Sequence, residues 1–248
     1  PYYNKSTDAY CYIGTEKPNH DVVIVGWDDS YSKDNFNTDL EGDGAFICQN
    51  SWGDNFGENG FFYISYYDTN IGTHNVVYTD IENTDNYDHI YQSDLCGWVG
   101  QLGYNKDSIY GANVFTAEGN ETLKAASFYA TGKDSQYELY VVRQFEDETS
   151  LEKMIPVASG KLGNAGYYTV DFNQGIEVDA GERYAVVLYI ITPGSVHPMA
   201  IEYAADEATE NVDLDDGESY ISANGSKWVS VDTVEKSNLC IKAFSDNR

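Results

Sequence analysis

Two short apolar runs, each set against a polar side chain, constrain this chain more than any other feature. The first reads Asn19-His20-Asp21-Val22-Val23-Ile24-Val25-Gly26-Trp27. The second reads Phe46-Ile47-Cys48-Gln49-Asn50-Ser51-Trp52-Gly53 and is followed by Gly57-Glu58-Asn59-Gly60-Phe61. Continuous apolar runs of this length predict strands buried on both faces, here residues 22–27 and 45–49. Residues 60–67, aromatic and β-branched, predict a third strand. His20 then heads one buried strand and Asn50 ends another. The stretch between them, residues 28–43, is dominated by Asp, Asn and Ser and reads as a surface insertion, not a core element.

A His and an Asn brought together this way can handle protons. The unperturbed imidazole pKa lies near neutrality, so histidine can serve as base and then as acid. An Asn carbonyl can accept from the other ring nitrogen, fixing tautomer and orientation without a second negative charge. Trp52, two residues beyond Asn50, is placed to shield that hydrogen bond from water.

The rest of the chain reads differently. Residues 79–94 carry Asp80, Glu82, Asn83, Asp85, Asn86, Asp88 and Asp94, the composition of a linker or long surface crossing. Short alternating strands follow at 109–117, 123–130, 137–143, 167–172, 183–191 and 239–244. Gly, Asn and Asp clusters separate them, the pattern of an antiparallel β-sandwich. The one helical signal is a turn near residues 148–154, and no fixed-period repeat is visible.

At 248 residues and 42% hydrophobic, the chain can build one large domain or two small ones. Against 14 Lys plus Arg stand 41 Asp plus Glu, a formal net charge of −27. Such a surface repels phosphate backbones and anionic membranes, so nucleic acid is excluded as a partner. No apolar run approaches the roughly 20 residues of a membrane span. The start at Pro1, without Met, basic region or apolar leader, is expected of a partial chain or of the mature fragment or second chain of a processed precursor.

The cysteines Cys11, Cys48, Cys96 and Cys240 form no Cys-x-x-Cys pair, so no zinc site is expected. A Cys96–Cys240 disulfide is compatible with the spacing, and Cys48 reads as a small core hydrophobe. The acidic run 211–218 departs from a calcium loop, because Asp216 stands where the required Gly falls and the distal Glu is lacking. It reads as a solvated loop. No metal or cofactor is expected. His74 and His89 read as exposed, and His197 as a loop residue.

The His20 and Asn50 blocks resemble the two C-terminal signature blocks of papain-like cysteine peptidases, over about the first third of the chain. The resemblance implies that His20 is the catalytic base, Asn50 its orienting partner and Trp52 the covering aromatic, with Asn19 and Asp21 in the substrate pocket. Asp21 stands where the family commonly has Ala, in the pocket for the residue preceding the scissile one, which would favour Lys or Arg there. The family's Gln-to-Cys-Trp nucleophile block has no counterpart. Cys11 lies just before His20, on the barrel side of the cleft, and reads as a bystander thiol.

Residues 95–248, through Cys96-Gly97-Trp98 and Arg183-Tyr184-Ala185-Val186-Val187-Leu188-Tyr189, resemble the lectin-like β-domain that follows the peptidase in some bacterial surface enzymes. That implies a secreted or cell-surface protein and a glycan partner, with Trp98 and Trp228 as candidate stacking residues. The expected fold is mainly β. Residues 1–78 would form the C-terminal barrel half of a papain-like α+β fold, 79–94 a linker, and 95–248 an antiparallel β-sandwich. The expected function is the C-terminal portion of a cysteine endopeptidase hydrolysing protein or peptide substrates through a thioester. An N-terminal half would supply the Cys and the oxyanion Gln. The alternatives are a catalytically inactive surface adhesin or glycan-binding module, and a structural surface module.

Overall fold

The structure, a computed structural model, describes residues 1–248 apart from the side chain of Asp232. It is mainly β and divides into two compact units, Pro1–Tyr78 and Thr79–Arg248. In the first unit β1 (Tyr3–Asn4), β2 (Ala9–Tyr10), β3 (Val23–Asp28), β4 (Ala45–Gln49) and β5 (Phe61–Ser65) make one sheet in the order β1-β2-β5-β4-β3. β2 runs parallel to β5, and the other pairs are antiparallel. Side chains alternate across the pleat. Cys48, Phe62 and Ile64 gather on one face and Ala9, Cys11 and Ala45 on the other.

Two expectations are corrected here. Residues 28–43 are not simply a surface insertion, because Phe36 and Leu40 are buried against Ala9, Cys11 and Ala45. A short 3-10 turn, Lys33–Asn35, holds them there, with Asn4 Nδ2 and Thr7 Oγ1 both donating to the Asn35 carbonyl. The second correction is β3, which is exposed instead of buried on both faces. Val23 and Val25 are about half exposed, at 52% and 51%, and Trp27 reaches 69%. β3 lies at the sheet edge, so it has a hydrogen-bonded neighbour on one side only.

The second unit contains β6 (His89–Tyr91), β7 (Gly100–Leu102), β8 (Ser108–Thr116), β9 (Glu121–Ala130), β10 (Ser135–Val142), β11 (Ile155–Leu162) and β12 (Gly166–Val178). It continues with β13 (Arg183–Ile191), β14 (Met199–Glu202), β15 (Ser219–Ser222), β16 (Val229–Ser230), α1 (Val231–Val234), β17 (Asn238–Leu239) and β18 (Ile241–Asn247). A six-stranded sheet, β11-β10-β13-β8-β15-β16, accompanies a four-stranded sheet, β12-β9-β18-β6, and a three-stranded one, β17-β14-β7. Ile109, Leu139 and Leu188 from the first meet Leu123, Phe128 and Ile241 from the second in one buried cluster. Asn113 on β8 joins these layers: its Nδ2 donates to the Leu239 and Ile241 carbonyls at 2.9 and 2.8 Å, and its Oδ1 accepts from Ser219.

The segment 79–94 groups with this second unit, and part of it is structural. β6 pairs with β18, and the buried Asp94 carboxylate meets Lys242 Nζ at 2.7 Å. Its acidic composition reads as linker because a paired, buried acid looks the same in sequence as a solvated one. The turn near 148–154 is a 3-10 segment, Glu148–Glu152, begun by a capping box on Asp147. All four cysteines are free, so the Cys96–Cys240 disulfide is not formed.

Asn113→Ala would orphan two buried carbonyls and the Ser219 hydroxyl. The expected loss is roughly 2–3 kcal/mol of stability in denaturant titration, with the fold retained.

Candidate active site

His20 lies three residues before β3, and Asn50 directly follows β4. The Asn50 backbone N–H donates to the Gly60 carbonyl at 2.9 Å, tying the end of β4 to the loop that returns as β5. That loop turns through Gly57 at φ +55°, where an added Cβ would lie 2.1 Å from the Phe61 carbonyl oxygen, so glycine is required.

His20 Nε2 lies 2.9 Å from Asn50 Oδ1. The Ser51 backbone N–H donates to the same oxygen at 2.8 Å, which fixes that atom as the amide's acceptor. His20 therefore carries its proton on Nε2 and donates it to Asn50. Nδ1 is left with a lone pair to receive a proton from elsewhere. The Asn50 side of the pair is buried, at 8% exposure, while the imidazole is exposed.

The Trp52 indole packs on His20 with ring centroids 5.0 Å apart and planes tilted by 36°. Phe56 meets Trp52 edge-on at 4.9 Å, and Tyr3 stacks on Phe56 at 5.4 Å. These rings brace the imidazole from one side. Trp52 is itself 63% exposed, so within this unit it shields that side alone. Phe56 is absent from the residues the sequence marks, although an aromatic between Gly53 and Gly57 is a usable signal for a ring that caps a turn.

Asn19, His20, Asn50 and Trp52 line one cleft of about 1130 Å³, whose apolar side includes Tyr3, Val22 and Phe62. Asp21 is exposed and lies outside that lining.

None of the three buried thiols can serve as the nucleophile. Cys11 is fully buried among Ala9, Phe36 and Ala45, and burial raises its pKa although a hydrogen bond with Ser65 opposes the shift. Burial likewise pushes the Cys48 thiol up to about 12, and the Cys240 thiol upward. A thiolate, not a thiol, is the nucleophile, so these three are inert. Among the described residues no cluster of His, Cys, Asp and Glu could hold a metal ion, and no helix is long and apolar enough to cross a membrane.

Comparison with known proteins gives two family matches: residues 2–81 to the papain family cysteine protease model and residues 90–245 to the lectin like domain model. Among solved structures, the chain is similar to a cysteine-to-alanine variant of the clostridial cysteine protease Cwp84 after propeptide cleavage. The TM-score is 0.81 and the identity 30%, covering 100% of this chain and 63% of that one. It is also similar to the cysteine protease and lectin-like domains of Cwp84, a surface layer associated protein of Clostridium difficile. Here the TM-score is 0.76 and the identity 28%, covering 100% of this chain and 56% of that one. The chain thus spans about three-fifths of the length of these solved relatives. No curated protein matches it.

Brief treatment of the native chain with iodoacetamide is expected to alkylate Cys96, the one exposed cysteine, and leave Cys11, Cys48 and Cys240 unmodified. Peptide mass mapping checks this, and labelling of Cys11 would contradict the buried-thiol assignment.

Proposed function

Because the chain belongs to the lectin-like domain family and carries a papain-family peptidase fragment ahead of that domain, we propose that it is the base-bearing C-terminal portion of a bacterial surface cysteine endopeptidase. The observation that carries this reading is the 2.9 Å His20–Asn50 hydrogen bond under the Trp52 indole. The nucleophilic cysteine and the oxyanion-hole donor come from an N-terminal peptidase half outside these residues. His20 Nδ1 takes the thiol proton, and the thiolate attacks the scissile carbonyl. The resulting imidazolium, held by Asn50, protonates the leaving amine and a thioester remains. A water, deprotonated by the same nitrogen, then hydrolyses that thioester. Asn50 keeps the ring in one tautomer throughout, and Trp52 limits water's competition for the bond.

The exposed edge of β3 supports the partner. Val23, Ile24, Val25 and Trp27 are all exposed apolar side chains on this edge strand next to the site, of the kind a second protein segment covers. Similarity to a surface layer associated protein supports a secreted or cell-surface location. Asp21, exposed beside His20, would contribute a carboxylate to the completed substrate pocket and favour Lys or Arg before the scissile residue. The lectin-like unit would bind a surface glycan. The second reading is an adhesin that keeps the peptidase frame without activity. The inert buried thiols of this chain are compatible with it, and Ser or Gly at the nucleophile position of the N-terminal half would favour it.

In the complete enzyme, His20→Ala is expected to lower kcat by roughly 10²–10⁴-fold on a peptide substrate, with a smaller loss for Asn50→Ala. Unchanged turnover in both variants contradicts the assignment. A positional peptide library is expected to show a preference for basic residues that weakens in Asp21→Ala, and a library without that preference removes the role given to Asp21.

A further inference from the structure

We propose that the open part of the outer face of the six-stranded sheet is a binding groove for an uncharged pyranose oligosaccharide. The inference rests on the glycan-binding reading of the second unit and assigns it a location and a ligand chemistry.

The sheet itself builds the groove. On β10, Leu139 and Val141 point into the core shared with the four-stranded sheet, so Gln136, Glu138 and Tyr140 face the other way. Register then sets two parallel rows. Glu138 lies opposite Ser159 on β11 and Tyr189 on β13, while Gln136 lies opposite Lys161 and Ile191. Tyr189 in turn lies opposite Tyr110 on β8, with the two rings stacked 4.2 Å apart at 21°. The resulting cavity of about 260 Å³ approaches the lower end of small-ligand sites, roughly 300–1,000 Å³.

The rest of that face is already covered. Phe145 and Leu151, from the chain between β10 and β11, pack on Ala112, Val142 and Val187, with Tyr110, Tyr140 and Trp228 at the margin of this second core. The cover ends there, leaving Glu138, Gln136, Ser159 and Lys161 exposed and Tyr189 partly exposed along the β13 side of the groove.

The groove's chemistry suits a ring with an apolar C–H face and a rim of hydroxyls. Tyrosine offers a flat apolar face and a polar tip. The Glu138 carboxylate accepts from the Tyr140 hydroxyl, which orients it and leaves its remaining lone pairs for ligand hydroxyls. Gln136 supplies both donor and acceptor, Ser159 a hydroxyl and Lys161 donors alone.

Charge narrows the ligand further. Lys161 and Glu138 balance within the groove, and the chain's net −27 repels polyanions, so an uncharged saccharide fits best. A peptide strand could add only at the outer edge of β11; β10 and β13 are each paired on both sides, so the floor of the groove offers side chains and no free backbone.

The test applies the full chain to an array of neutral and of uronate- or sialate-bearing oligosaccharides, followed by calorimetry with the strongest neutral binder. Tyr189→Ala and Glu138→Ala are expected to weaken that binding about tenfold or more in protein that circular dichroism shows is still folded at the assay temperature, while Tyr189→Phe, which keeps the stacking face, binds nearly as well. Neutral-glycan binding that survives both alanine variants overturns the groove but leaves the glycan-binding reading standing. Binding of acidic glycans alone overturns the charge argument and with it the proposal. No glycan bound at all overturns the proposal together with the reading on which it rests.

Discussion

The antiparallel register of β3 against β4 sets the position of everything in the site. Val23 lies opposite Gln49. His20, three residues before Val23, and Asn50, one residue after Gln49, therefore arrive at the same end of the sheet, within hydrogen-bonding distance. A one-residue slip would turn the pleat over and send each side chain to the opposite face. Register is held by pairing of β4 with β5 on its other side and by the bond from the Asn50 N–H to the Gly60 carbonyl. The polar pair thus depends on backbone bonds that begin beyond it, and the aromatic row from Tyr3 through Phe56 to Trp52 supports it from the side.

The two units differ in how far each satisfies itself. In the second, the six- and four-stranded sheets contribute to one core, and Asn113 joins β8 to the backbone of β17 and β18. Among the described residues of its core the Tyr184 hydroxyl remains an unpartnered buried group, as does one oxygen of Asp94 in spite of its bond to Lys242. In the first, the apolar edge strand and the exposed imidazole adjoin one another. A hydrogen bond open to water contributes little net free energy, whereas the same bond under a low-dielectric cover is stronger. Covering the β3 edge and sharpening the His20–Asn50 bond are therefore one event in the proposed assembly.

Much of this was readable in the sequence. The strands expected around residues 109–117, 123–130 and 183–191 correspond to β8, β9 and β13, but their middles are buried on both faces instead of alternating. β11 carries little sequence signal: its Ile-Pro-Val-Ala-Ser-Gly-Lys-Leu run contains Pro156 and Gly160 and lacks clean alternation. β3 is more exposed than its sequence implies because an apolar run reports what a strand would bury in its complete setting, and this unit offers β3 a neighbour on one side alone. Phe36, Leu40 and Asp94 show the converse, since their polar neighbours in sequence hide side chains that pack or pair with distant parts of the chain. His20, Asn50 and Trp52 were legible because their spacing to the two strands is part of the motif itself, while the position of Asp21 outside the cleft lining depends on backbone direction that spacing does not report.

The account's central claim is that this chain supplies the base of a peptidase site whose thiolate comes from elsewhere. Intact-mass measurement after treatment with an epoxide thiol probe, on protein purified from its natural source, tests that claim most directly. The account predicts a single adduct, on a cysteine of a co-purifying chain or of a longer precursor, and none on Cys11, Cys48 or Cys240. A folded, complete protein that takes up no probe, or one labelled at Cys11, would contradict it.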